Sequence, residues 1–296
     1  MPRPLPELIQ RPIGPHVEVW GSPEAWVYWV QGEEAALLID AGYTVHGPLW
    51  AQWIQARSRP SRLLHLLTHS HYDHLGGTPT LLEAFPEMEV GAHPRVTRVL
   101  ASPRAVSLIQ KLSREAAEAY GLPSPPFEPF PIHRPLQEGQ QLDLGGVTVE
   151  VIETPGHTRD SLSFWILPDR ILVVGEAAGV PNREGRVRPQ FLADYALYRQ
   201  SLHRLRERPA RVLGLPHRTL IEGEEAVRRY LQASLLATEE LRAVIEQALE
   251  RTQDETQALE KVLQMLPWLI RTQQPKQAFL LNLRAMIRAV ARTHQP

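Results

Sequence analysis

The chain has 296 residues, 43% hydrophobic and 22% charged, with a formal net charge of −1. That composition describes a globular chain with ample core, and the length suggests two domains. Near-neutrality speaks against a broad basic field for nucleic acid, and the absence of cysteine excludes disulfides, thiolate metal sites and a cysteine nucleophile. The opening MPRPLPELIQRPIGP lacks the apolar core of a signal peptide and no run reaches membrane-spanning length, so a cytoplasmic location and no membrane partner are expected.

Taken in order, the first third predicts short strands at 16–20 (HVEVW), 25–30 (AWVYWV) and 35–40 (AALLID), separated by Gly, Ser and Pro. RLLHLLT (62–68) is a nearly continuous apolar run, the pattern of a strand buried on both faces. Thr78 and Pro79 read as an N-cap and first helical residue of a short helix that ends by Pro86. A strand at 88–93 and a helix over 104–120 follow, with Gly121 just past the helix end. Residues 123–135 hold six prolines and form a stiff loop, a wall or lid rather than a linker. Strands resume at QQLDL, VTVEVIET, SLSFWIL, RILVVG and ARVLGL, where Ser161 reads as a strand-start residue. From Glu222 onward the pattern is helical, in three segments near 223–250, 254–266 and 276–293, with Asp254 and Gln257 as a capping box. The expected division is a first domain over 1–222 and a helical extension over 223–296.

The chemistry concentrates in LLHLLTHSHYDHLGG (63–77), which carries four of the twelve histidines. Within it, His69, His71, Asp73 and His74 follow a buried strand directly. A loop leaving such a strand turns alternate side chains toward one point, and Gly76-Gly77 lets the backbone fold tightly. A lone histidine is usually a packed residue, and His65 is read that way. So many imidazoles beside a carboxylate point instead to metal binding.

At this stretch the sequence resembles the metallo-β-lactamase superfamily, whose signature is a His-x-His-x-Asp-His loop. Further elements stand in the family's order: LLIDAG ending on Asp40, TPGHT with His157, VVGE with Glu176, and GLPH with His217. The resemblance implies an α/β fold, a four-layer αβ/βα sandwich of two mixed sheets, with C-terminal helices added. It also implies one metal held by His69, His71 and His157 and a second by Asp73, His74 and His217. Glu176, where the family usually has aspartate, would lie between the metals, and Asp40 would support the loop from behind. Such a donor set suits zinc, iron or manganese, zinc being the expected metal.

Two divalent ions would supply an acidified water and polarise the electrophile, with Asp73 orienting the nucleophile and shuttling its proton. The leading expectation is hydrolysis of an ester, thioester or lactone, in the manner of hydroxyacylglutathione hydrolase. Tyr43 and Tyr72 are candidate pocket residues for a small-molecule substrate. Three alternatives stay open: a ribonuclease or other phosphodiesterase, an iron-dependent sulfur dioxygenase, and a non-catalytic metal-binding module. The phosphodiesterase reading leans on Arg284, Arg288 and Arg292, one basic helix face at i, i+4 spacing within a tail that also holds Arg271 and Lys276. Opposite that face, Leu283, Met286, Ile287 and Val290 form an apolar stripe that needs a partner, either the catalytic domain or a second copy in a homodimer.

Overall fold

In the computed structural model the described residues are 7–22, 24–57, 61–119, 121–182, 184–252, 254–270 and 276–292. Two compact units emerge, one comprising residues 1–153 and 162–173 and the other 154–161 and 174–296. The C-terminal helices thus group with residues 174–222, and neither edge of this partition falls at the expected 222/223 boundary.

The first unit is built on a seven-stranded sheet. Strands β1 (Ile9–Pro12), β2 (Val17–Ser22), β3 (Ala25–Gln31) and β4 (Ala35–Ile39) form an antiparallel meander. Beyond β4, strands β5 (Arg62–Leu66), β6 (Glu89–Ala92) and β7 (Arg134–Pro135) continue in parallel. Parallel neighbours require crossovers, and the helices supply them. Helix α1 (Gly47–Gln55) links β4 to β5, and α2 (Tyr72–Leu75) and α3 (Thr78–Ala84) link β5 to β6. Helices α4 (Arg95–Leu100) and α5 (Pro103–Ala119), with the proline loop, link β6 to β7. β3 and β4 carry almost no polar side chains because both their faces are covered. Trp20, Trp29, Leu38, Trp50 and Phe85 form one core cluster, and Leu67, Val90, Val96, Ile109 and Phe127 another. The proline loop is a packed wall: Phe127 and Phe130 are buried, and Gln110 donates to the Phe127 carbonyl.

Four further strands of this unit, β8 (Gln141–Asp143), β9 (Thr148–Glu153), β10 (Leu162–Leu167) and β11 (Ile171–Val173), pair antiparallel in sequence order. The β8–β9 turn holds Gly145 and Gly146 at φ +80° and +75°, where a two-residue hairpin needs residues without a Cβ.

The second unit contains the loop Thr154–Ser161, the hairpins β12 (Val180–Pro181)–β13 (Val187–Arg188) and β14 (Val212–Gly214)–β15 (Leu220–Glu222), and four helices. The helices are α6 (Tyr195–Arg206), α7 (Glu224–Glu250), α8 (Glu255–Met265) and α9 (Lys276–Ala291). Asp254 caps α8 by accepting from the Thr256 and Gln257 amides, as the sequence suggests. No helix among the described residues is long and apolar enough to cross a membrane.

One local expectation needs correction. Thr78 is not the N-cap of α3: Gly77 is, and the Thr78 hydroxyl instead bonds His65 Nε2 at 2.9 Å. Ser161 lies just before β10, where its hydroxyl bonds that of Thr158 at 2.7 Å. His65 itself is the satisfied core residue expected, with its other nitrogen 3.1 Å from the Leu38 carbonyl.

Burial holds His65 neutral, bringing its pKa from 6.5 down to about 4 against the opposing pull of the Leu38 carbonyl and the Asp40 charge. The unfolded chain therefore takes up this proton below pH 6.5, whereas the native one does so only near pH 4. Stability is full above pH 6.5 and falls as pH drops from 6.5 to 4, by on the order of 3 kcal/mol from this group. Denaturant unfolding at pH 7.5 and pH 5 is expected to show a smaller acid loss in His65→Gln than in the wild type. An equal loss would remove His65 as its source.

Candidate metal centre

In the first unit the carboxyl ends of β4 and β5 lie side by side, with Ile39 paired to Leu66 and the Asp40 amide donating to the Leu66 carbonyl at 2.8 Å. The carboxyl edge of parallel strands is where open α/β sheets place ligands. Asp40 follows β4 with φ +60°, a conformation costly for a non-glycine residue and kept only where its surroundings impose it. The surroundings are clear. Its carboxylate accepts from the Thr68 amide at 2.8 Å, from the Thr68 hydroxyl at 2.8 Å and from His74 Nδ1 at 2.8 Å. Both Asp40 and His74 are buried. An Nδ1–H donated to a carboxylate fixes the tautomer, so His74 presents an Nε2 lone pair, the form in which imidazole ligates a metal.

The other histidines of the loop crowd around it. The His69 ring centroid is 4.6 Å from that of His71 and 4.0 Å from that of His74. His71 stands at the N-cap of α2 in extended conformation, directly before the turn that carries Asp73 and His74. One donor atom of His69 and one of His71 lie within 4.8 Å of each other, and the same holds for Asp73 and His74. Tyr43 and Tyr72 are half-buried with ring centroids 5.7 Å apart, and Tyr43 also packs 5.5 Å from His46. His46, buried and given no role from sequence, accepts the Tyr43 amide; burial brings its pKa down to about 4. His93 and His133 brace backbone amides, those of Arg95 and Val90.

In the second unit His157 stands on the loop Thr154–Ser161. Gly156 precedes it at φ +132°, and a Cβ there would lie 2.3 Å from the Tyr198 backbone, so only glycine lets the loop lie against α6. His157 Nδ1 donates to the Gln190 carbonyl at 2.7 Å, which turns Nε2 the other way. That Nε2 is 2.7 Å from Glu176 Oε2, and His217 Nε2 is 3.9 Å from Glu176 Oε1. At 2.7 Å the first contact has hydrogen-bond length, met by a proton between the two groups or by a cation bound to both. Two imidazoles and a carboxylate gathered in this way are a donor set that fits zinc, iron or manganese. Gln190 was invisible to sequence reasoning because its contribution is a backbone carbonyl, which any residue could supply.

The basic face of α9 is partly spent on structure. Arg288 makes a two-pronged pair with Glu255 at 2.7 and 2.8 Å, and Arg292 donates to the Ala193 carbonyl. Arg271 lies outside the described residues. Leu283, Met286, Ile287 and Val290 are all buried, as their spacing suggests.

Comparison with known proteins agrees with this architecture. A hydroxyacylglutathione hydrolase of Hahella chejuensis is 32% identical over 154 residues, covering 49% of this chain and 43% of that protein. An atrochrysone carboxyl ACP thioesterase of Aspergillus fumigatus is 27% identical over 158 residues, covering 53% and 38%. The aligned stretch is thus under half the length of each of these relatives. The crystal structure of ST1585, a metallo-β-lactamase superfamily protein from Sulfolobus tokodaii, aligns with a TM-score of 0.57 at 23% identity, covering 98% of this chain and all of that one. That likeness shows the fold: two mixed sheets with flanking helices, extended by C-terminal helices. Residues 21–217 match the model of the metallo-beta-lactamase superfamily, about two thirds of the chain, and the protein belongs to that superfamily.

Proposed function

We propose that the protein is a binuclear metal-dependent hydrolase of an ester, thioester or lactone. In this reading, which follows the family resemblance, His69, His71 and His157 would hold one divalent ion and Asp73, His74 and His217 the other. Glu176 lies between the two, and zinc is the expected metal, with iron or manganese compatible with the same donors. The observation that carries the reading is the buried Glu176 carboxylate set against two imidazoles, 2.7 Å from His157 Nε2 and 3.9 Å from His217 Nε2, a donor set that a divalent ion would complete.

When bound, such a pair of ions supplies a water acidified to near neutrality and an electrophile for the carbonyl oxygen. The chain's own groups do the rest. The Gln190 carbonyl and the Asp40 carboxylate hold His157 and His74 in their ligating tautomers. Asp73, half-buried at the start of α2, orients the nucleophile and takes its proton at a carboxylate oxygen. Tyr43 and Tyr72 offer an aromatic wall for an acyl group. The names of the relatives, a hydroxyacylglutathione hydrolase and a thioesterase, favour acyl transfer to water over phosphodiester cleavage or oxygen chemistry.

Elemental analysis of gently purified protein is expected to give about two metal equivalents per chain. A panel of thioesters, esters, lactones and phosphodiesters is expected to show turnover on the acyl substrates, abolished by chelation and restored by metal. One equivalent would reduce the site to a single ion. No metal after reconstitution, or turnover confined to phosphodiesters, would overturn the reading.

A further inference from the structure

Arg188 closes the two-residue strand β13, paired opposite Val180. It is only 6% exposed, and its Nε has no hydrogen-bond partner among the described residues. A guanidinium N–H buried without a partner is destabilising. The fold does not require that expense. β13 needs only the backbone of this residue, and the Phe279 ring of α9, 5.9 Å from Cζ, gives the cation a weak π contact but no anion.

The charges acting on Arg188 do not resolve the cost. Burial lowers its pKa to about 10, Glu176 favours the cation and Arg218 opposes it, so it remains protonated at neutral pH. Glu176 is not its dedicated counter-ion, because Oε2 is 2.7 Å from His157 and Oε1 is 3.9 Å from His217. Arg218, the residue after His217, is held at φ +77°, an uncommon conformation for a side chain with a Cβ. Two arginines whose charges oppose each other, one of them buried, stand on the two hairpins of this unit beside a carboxylate already engaged elsewhere.

We propose that Arg188, supported by Arg218, is the subsite for an anionic oxygen group carried by the substrate, a carboxylate or a phosphate. A planar guanidinium takes either through two parallel N–H···O bonds. Burial strengthens those bonds and penalises a neutral analogue, which leaves the guanidinium bare. This deepens the hydrolase reading and rests on it for the term substrate. The anion subsite itself can be measured without turnover.

The test uses the metal-loaded full chain with three probes: glutarate, inorganic phosphate and neutral glutaramide. Calorimetry is expected to show that one of the two anions binds about 100-fold less tightly to Arg188→Gln than to wild type, at equal metal content. Arg188→Lys, which keeps the charge and loses the fork, should fall in between, and it carries the test if the glutamine variant does not fold. Glutarate sensitivity would identify a carboxylate group and phosphate sensitivity a phosphorylated one. In turnover, the kcat/KM preference for a glutaryl thioester, or for a phosphorylated one, over its neutral amide analogue should collapse in Arg188→Gln, mainly through KM. Anion binding equal in wild type and both variants would overturn the subsite, even with hydrolysis intact. Binding that depends on Arg188 in a protein that hydrolyses nothing would keep the subsite and overturn the hydrolase reading.

Discussion

Glu176→Gln is expected to lose at least one metal equivalent and to lower kcat by roughly 10²-fold or more. The glutamate is 4% exposed and 2.7 Å from a His157 nitrogen whose partner nitrogen is committed to the Gln190 carbonyl. As a carboxylate it can hold a cation there. As an amide it can complete the pair by itself, its NH₂ donating to Nε2. The substitution therefore removes the charge that would hold the metal while keeping a hydrogen-bonded pair, and the fold should tolerate it without metal. Chelator should lower the Tm of the wild type and leave that of the variant nearly unchanged. Glu176→Asp restores the charge on a side chain one methylene shorter, with His217 already 3.9 Å from the longer one. Metal content and kcat should recover only in part. Full metal content together with wild-type turnover in Glu176→Gln would show that this carboxylate holds no metal.

The parts legible in the sequence are those whose cause is local. The run Leu63–Leu67 could only be a covered strand, and the order of residues after it dictates what emerges at its end. The β4 and β5 strands are readable one at a time, yet it is their parallel register that brings Asp40 to Thr68 and His74. Periodicity does not contain that pairing; the resemblance to a family supplied it. Thr78 shows where local rules fail. Its hydroxyl suits a helix cap, but His65 lies within 2.9 Å and takes it, leaving Gly77 at the cap. Helix α6 was readable and passed over: Asp194 caps it by accepting from Leu197, and Tyr198, Leu202 and Leu205 are buried at helical spacing. Arg188 was not readable at all, since its packing involves a residue as remote as Phe279 and its charged neighbours come from the segment before β12 and from the β14–β15 turn.

Deleting residues 223–296 is expected to give a chain that aggregates and binds no stable metal. Helix α7 is fastened to the segment that follows Glu176. Ser234 donates to the Ala178 carbonyl at 2.9 Å and Tyr230 to the Gly179 carbonyl at 3.3 Å, all of them buried. Val227, Leu231, Leu241 and Ile245 on the same helix are buried as well, and α7 packs against α6, α8, α9 and β13–β15. Removing it would leave two carbonyls near Glu176 without these donors and would expose the apolar faces of α6 and β13 to water. Each orphaned buried carbonyl alone costs about 1–3 kcal/mol. Ser234→Ala isolates one such loss. Its expected cost is about 1–2 kcal/mol, a Tm lower by a few degrees, with weaker metal retention at Glu176 because the backbone beside it loosens. Size-exclusion chromatography and metal analysis of the truncated chain decide the larger question. A monomeric, folded, metal-loaded chain ending at residue 222 would show the helices to be a separate domain, and the fastening of α7 to the Glu176 segment would then be irrelevant to the site.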